Sequence, residues 1–381
     1  MSAVDTLRNR AETRKIARLL DVDVDQLVFL RGLSADDVRR FREQVVTALF
    51  DGAPEMLDRI ARATKLVPAA VAATISQTAL GPRLAAGVAG RLEPHRAAEI
   101  IDRLPVSFTA ESCAHLDPRR IAGIVQRLDE DLLVRIAVAL AERGDDVTMG
   151  RFVGHLPDTA LRRILGLVDA SVVLRVGFLI DQPQRVDSVI ELMGTERLAA
   201  VIQAAGDGLW PEALAVAGMA GPRWRHAIAA ITARQAPEHL DSLVRAAHEQ
   251  DLWESLLPLV ALLDDAERRR IAELPSLRDT AVLGEVVQAV VATRLWQEFL
   301  PLVELLPGPS RRTVAETAGR LPDGELNAMA LEVAEGDLWE AVLPLVELMD
   351  DPAKERVFAL PAFQEHGADQ ARPPSDGLPL G

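Results

Sequence analysis

The 381-residue sequence predicts an all-α protein: an α-solenoid built of short 12-residue helical units, followed by a HEAT-like array of 43-residue repeats. Three observations predict it. Leucines recur every 12 residues from Leu80 to Leu128, tryptophans recur every 43 residues from Trp210 to Trp339, and aromatics make up only 4% of the chain with no Tyr at all. That last balance starves a β-sandwich and suits packed Ala- and Leu-rich helices. With 49% hydrophobic and 26% charged residues the chain has ample material for a core, which excludes wholesale disorder and collagen-like structure.

Residues 1–13, within MSAVDTLRNRAETRK, lack an apolar periodicity and are expected to be disordered; with no apolar core segment they do not form a secretory signal. Residues 14–66 read as a small helical cap, in which Ser34 and Asp37 frame the start of a helix and Gly52 follows its end. The most apolar stretch, Leu66 to Leu92, is broken by Gly81, Pro82 and Arg83, so it predicts core helices and no membrane insertion.

Residues 67–195 carry the 12-residue beat. Leu80, Leu92, Leu104, Leu116 and Leu128 head units reading GRLEPHRAAEII, DRLPVSFTAESC, AHLDPRRIAGIV and QRLDEDLLVRIA. Asp117-Pro118 and Glu93-Pro94 set a cap before a proline at a first helical position, which predicts helices of about eight residues that are stable only when stacked. The beat resumes at Leu156, Val168, Ile180 and Leu192 after an interruption around ERGDDVTMGRF. The segment Leu92-Glu93-Pro94-His95-Arg96-Ala97-Ala98-Glu99-Ile100-Ile101 and its copies resemble the superhelical intracellular N-terminal domain of MgtE-type magnesium transporters, over roughly residues 68–200. The resemblance implies a superhelical fold there and a role in magnesium sensing, and no ligand residue is carried over from it.

Residues 196–363 carry the second period. GLWPEAL, DLWESLLPLVALLDD, RLWQEFLPLVELLPG and DLWEAVLPLVELMDD place Trp210, Trp253, Trp296 and Trp339 at intervals of 43, the range of HEAT and armadillo arrays. Asp251 and Asp337 fit N-caps, with Glu254 and Glu340 closing capping boxes; Pro258, Pro301 and Pro344 interrupt the helices that follow. A third helix starts near Asp265, Ser310 or Asp351. Residues 364–381, rich in Pro and Gly, are expected to be disordered.

Charge bounds the partners. The formal net charge is −15, and residues 1–150 hold 21 basic and 22 acidic residues, which leaves 21 basic and 35 acidic ones for residues 151–381. Such a field opposes nucleic acid and favours a protein partner with a basic surface.

The chain has no phosphate-binding glycine loop, no H-E-x-x-H and no G-x-S-x-G, and its single cysteine excludes an internal disulfide and a four-thiolate zinc site. Cys113 and His115 suggest a nucleophile and base, but in the repeat they fall where Ile101, Val125 and Ala137, and Arg91, Arg103 and Arg127, stand; packing and a solvated surface explain them. Asp145-Asp146, Asp264-Asp265 and Asp350-Asp351 suit a hard cation, although helix caps need the same residues in the same places. No cofactor and no small-molecule substrate is indicated. The tryptophans are candidate partner-binding residues as an aromatic ridge, Trp224 above all because it lies outside the register, while for Trp210, Trp253, Trp296 and Trp339 packing between repeats is the competing reading. The expected function is a non-catalytic cytoplasmic scaffold or adaptor. The alternatives are a divalent-cation (magnesium) sensing module acting on a partner, and an enzyme of unrecognised type.

Overall fold

The computed structural model describes residues 2–50 and 54–364, of which none is in a strand. The protein is all-helical and solenoid-like, with 79% of its residues in helices. It divides into two compact units, residues 1–228 and 229–381. The division falls inside a helix, Pro222–Ala233, about thirty residues beyond the change of period at 195/196 from which the sequence reading divided the chain.

The first unit opens with α1 (Ala3–Leu20), so residues 3–13, expected to be disordered, are helical. The Ser2 hydroxyl caps it by accepting from the Asp5 amide at 3.1 Å. Hydropathy misses this helix because much of the face it buries is polar: Asn9, Glu12, Thr13 and Lys15 are buried beside Leu7, Ala11 and Ile16. The Asn9 amide donates to the carbonyls of Leu30 and Leu33 at 2.9 and 2.8 Å, fixing α1 against the 3-10 segment Val24–Gly32. Next comes α2 (Ala35–Phe50), whose first turn is capped as expected, the Asp37 amide donating to Ser34 Oγ at 3.2 Å. Gly52 lies outside the described residues, as does 365–381.

The superhelix runs through α3 (Pro54–Thr64), α4 (Ala69–Ile75), α5 (Gly81–Ala89), α6 (Pro94–Ile101), α7 (Val106–Cys113), α8 (Ala122–Val125), α9 (Glu130–Glu142), α10 (Asp146–Phe152), α11 (Asp158–Leu167), α12 (Ala170–Phe178), α13 (Val186–Ala204, two helical pieces that meet at a left-handed Gly194) and α14 (Trp210–Met219), and ends at α15 (Pro222–Ala233). Helices two apart stack, so α3, α5, α7, α9, α11 and α13 form one row, while α4, α6 and α8, then α10, α12 and α14, build the other. The eight-residue helices α6 and α7 are as the 12-residue beat predicts. The third unit departs from it. Asp117 Oδ1 accepts from the amide of Arg119, folding Asp117-Pro118 into a turn, and α8 keeps only four residues. Gly150 permits the tightest approach between α10 and the end of α12, since a Cβ there would lie 2.5 Å from the Leu179 carbonyl oxygen.

The second unit contains three helices per 43 residues: α16 (Pro237–Glu249), α17 (Trp253–Val260) and α18 (Asp265–Ala272), then α19 (Thr280–Thr293), α20 (Trp296–Val303) and α21 (Gly308–Gly319), then α22 (Asp323–Glu335), α23 (Trp339–Glu347) and α24 (Asp351–Phe358). Pro258, Pro301 and Pro344 each lie inside the middle helix, which ends within three residues. Asp264 and Asp350 are N-caps, accepting from the amides of Glu267 and Ala353 at 2.8 and 2.9 Å. Asp251 and Asp337 are not. They adopt left-handed φ of 52° and 50°, and the caps of α17 and α23 are Leu252 and Leu338, which have no capping side chain. Gly208 (φ 87°) and Arg294 (φ 58°) share their register, so one left-handed residue recurs every 43 positions. The amide after each donates to a carbonyl at the end of the preceding helix, as Leu252 does to Ala247 and Leu338 to Val333, both at 2.9 Å. These residues close one helix, and do not start the next.

Candidate functional site

Four of the five candidate tryptophans do not form a ridge. Trp210, Trp253, Trp296 and Trp339 are 3–5% exposed, so the packing reading replaces the binding one for them. Opening a helix just after a left-handed turn points each ring inward among neighbouring helices. Trp339 makes an edge-to-face contact with Phe363 (4.8 Å, 81°), and Trp296 a tilted one with Phe299 (6.5 Å). Trp224 is half-buried, with the Arg223 guanidinium 4.8 Å above its ring.

Cys113 is buried, and burial pushes its thiol up to about 12, which keeps it neutral and unsuited to nucleophilic attack. His115 is half-buried and held below its ordinary value by burial and then by the charges of Arg18 and Arg83. The arginines of its register are not simply solvated. Arg91, Arg103 and Arg127 each donate to the carbonyl four residues earlier, of Gly87, Glu99 and Gly123, closing their own short helices.

A related device that the sequence reading missed couples stacked helices. Arg96 donates to the carbonyls of Thr64 and Val67, Arg151 to Ala114 and Leu116, Arg197 to Leu165 and Val168, and Arg356 to Gly319 and Leu321. Each guanidinium takes carbonyls at the end of an earlier helix: Arg96 on α6 reaches the end of α3, Arg151 on α10 that of α7, Arg197 on α13 that of α11, and Arg356 on α24 that of α21. The nearly constant 29–37 residue separation is the only trace this leaves in the sequence.

Within the first unit, α1 and α2 are joined to the superhelix by buried charge. Glu12, Lys15, Asp181 and Arg42 form a closed ring: Lys15 Nζ lies 2.9 Å from both Glu12 Oε1 and Asp181 Oδ1, and Arg42 lies 2.7 Å from Glu12 Oε2 and 3.1 Å from Asp181 Oδ1. Lys15 and Arg42 expose only 3% and 4% of their side chains. Burial alone would raise the Asp181 carboxyl, but the charges of Lys15 and Arg42 hold it below its ordinary value. Arg18 and Asp145 add a two-point contact at 3.0 and 2.7 Å, and Arg14 pairs with Glu212 at 3.1 Å.

In the second unit, the edge carrying the left-handed turns is acidic. Glu249, Asp251, Glu335, Asp337 and Glu340 are exposed there, and the turn at Arg294 adjoins the end of α22 through a 3.4 Å pair with Glu332. Glu332 is raised by burial, and Arg294 opposes that shift while the nearby carboxylates of Glu335 and Glu298 add to it.

Among the described residues no group of three or more His, Cys, Asp or Glu is placed to hold a metal ion, and no helix is long and apolar enough to cross a membrane. Comparison with protein-family models, with curated proteins and with solved structures finds no match.

Proposed function

We propose that the protein is a non-catalytic cytoplasmic scaffold that engages a protein partner with a basic surface along the acidic edge of the 43-residue array. The observation that carries this reading is the recurrence of the exposed turn at Asp251, Arg294 and Asp337, because repeats present equivalent residues along one surface. Exposed carboxylates at two of the three turns, Glu249 and Asp251 and then Glu335, Asp337 and Glu340, make that surface predominantly negative on either side of Arg294. A surface of this kind steers a basic partner and makes the encounter salt-dependent. Partners are to be recovered with the full-length protein, then retested against a full-length variant with Asp251→Lys, Glu335→Lys, Asp337→Lys and Glu340→Lys. The expected result is an association rate that falls as salt rises and a partner lost from the variant; equal binding by the variant at low and high salt overturns the assignment. A calorimetric magnesium titration separates the scaffold from a cation sensor, which would give saturable heat.

A further inference from the structure

Between α2 and the superhelix lies a cavity of about 90 Å³, lined by Arg39, Arg42, Glu43 and Val46 on one side and by Asp117, Pro118, Arg119, Arg151, His155, Asp181 and Gln182 on the other. Its carboxylates are already engaged. Asp181 belongs to the ring with Lys15 and Arg42, Asp117 accepts from Arg119, and Glu43 pairs with Arg39 at 3.7 Å.

Arg151 is the exception. It is 3% exposed and makes no ion pair with a carboxylate among the described residues. Each of its two terminal nitrogens donates one of its two N–H bonds, to the carbonyls of Ala114 and Leu116, and its Nε has no hydrogen-bond partner. The cavity's own lining carries four guanidinium groups (Arg39, Arg42, Arg119, Arg151) against three carboxylates (Glu43, Asp117, Asp181).

We propose that this cavity is a binding site for a small oxyanion of the phosphate class, held between guanidinium groups of α2 and of the superhelix. The volume suits it, since a buried water needs about 10–15 Å³ and a cavity of about 90 Å³ therefore has room for one tetrahedral ion with some of its waters. The donor type suits it as well, because guanidinium forks match phosphate oxygens in geometry and charge. Burial already pulls Arg151 below the ordinary arginine value, and an anion beside it reverses that penalty. With Arg39 and Arg42 on one wall and Arg119 and Arg151 on the other, the bound ion clamps α2 to the superhelix. The site is independent of the acidic edge of the second unit.

The test uses the full-length protein with inorganic phosphate as probe, read by calorimetric titration and by thermal unfolding against sodium chloride at equal ionic strength. Saturable binding is expected, with a rise in the melting temperature that chloride does not reproduce and slower amide exchange confined to residues 35–50 and 114–119. Because Arg151 also closes α7, an Arg151 variant can fail by unfolding. The paired substitution Arg39→Gln with Arg119→Gln, at two half-exposed side chains of the mouth, avoids this, and is expected to keep the circular dichroism spectrum while weakening phosphate at least tenfold. O-phosphoserine forms a second arm: phosphate binding the tighter identifies the free ion, and phosphoserine binding the tighter identifies a phosphoryl group presented by a larger molecule. Equal effects of phosphate and chloride, or undiminished phosphate binding by the paired variant, overturn the proposal.

Discussion

Lys15 Nζ stands 2.9 Å from Asp181 Oδ1, joining two residues 166 positions apart in the sequence and closing the ring that Glu12 and Arg42 complete. Removing one member leaves the others buried and uncompensated, a far greater loss than that of a surface pair. Asp181→Ala is therefore expected to cost about 3–5 kcal/mol in chemical denaturation of the first unit. A loss below about 1 kcal/mol would mean that water reaches the ring.

The same carboxylates set an acid limit. Burial works to raise both Asp145 and Asp181, yet the pairing with Arg18, and with Lys15 and Arg42, holds both below the ordinary 3.8. Their contribution is thus complete above pH 3.8 and is lost as the pH falls through the depressed folded values. Unfolding midpoints measured from pH 6 downward should stay level until about pH 4 and then drop. The Asp181→Asn protein should drop less steeply.

Trp253→Ala and Trp296→Ala should each cost roughly 3–5 kcal/mol, with a marked red shift of the emission of the native protein on unfolding. Trp224→Ala, at a half-buried ring, should cost under about 1 kcal/mol. Equal costs at the three positions would contradict the difference in burial.

The left-handed turns offer a test in the opposite direction. Arg294 and Asp337 hold a conformation that costs a side chain about 1–2 kcal/mol and costs glycine almost nothing, and Gly208 already occupies the equivalent place. Arg294→Gly should raise stability by about 0.5–1 kcal/mol, and Gly208→Ala should lower it by about as much. A destabilised Arg294→Gly would show that its exposed pair with Glu332 outweighs the backbone strain.

The periods at 12 and 43 residues were legible because apolar residues that meet at every stack must recur in the text, as Leu92 and Leu116 do in one array and Trp253 and Trp296 in the other. Residues 3–13 were not, since Asn9 buries itself on the carbonyls of Leu30 and Leu33 and Glu12 against Arg42, partners that lie 21–30 residues along the chain. Asp251 was misread because an aspartate preceding a helix looks the same in the sequence whether it caps the next helix or terminates the last. The cavity was invisible for a similar reason: Arg39, Arg119 and Arg151 share no local pattern, and only the docking of α2 brings them together.

The stacking of helices two places apart, from α3 to α13 in one row and from α4 to α8 and α10 to α14 in the other, gives the first unit a parity. Insertion of a single 12-residue unit would move all later helices of the first unit into the opposite row, whereas insertion of two units preserves both rows. An insertion that leaves both rows in place therefore adds 24 residues rather than 12. The natural interruption obeys this rule: Leu156 follows Leu128 by 28 residues, two units plus the four that lengthen α9 and its turn. Parity thus acts as a reading frame for any insertion among these helices.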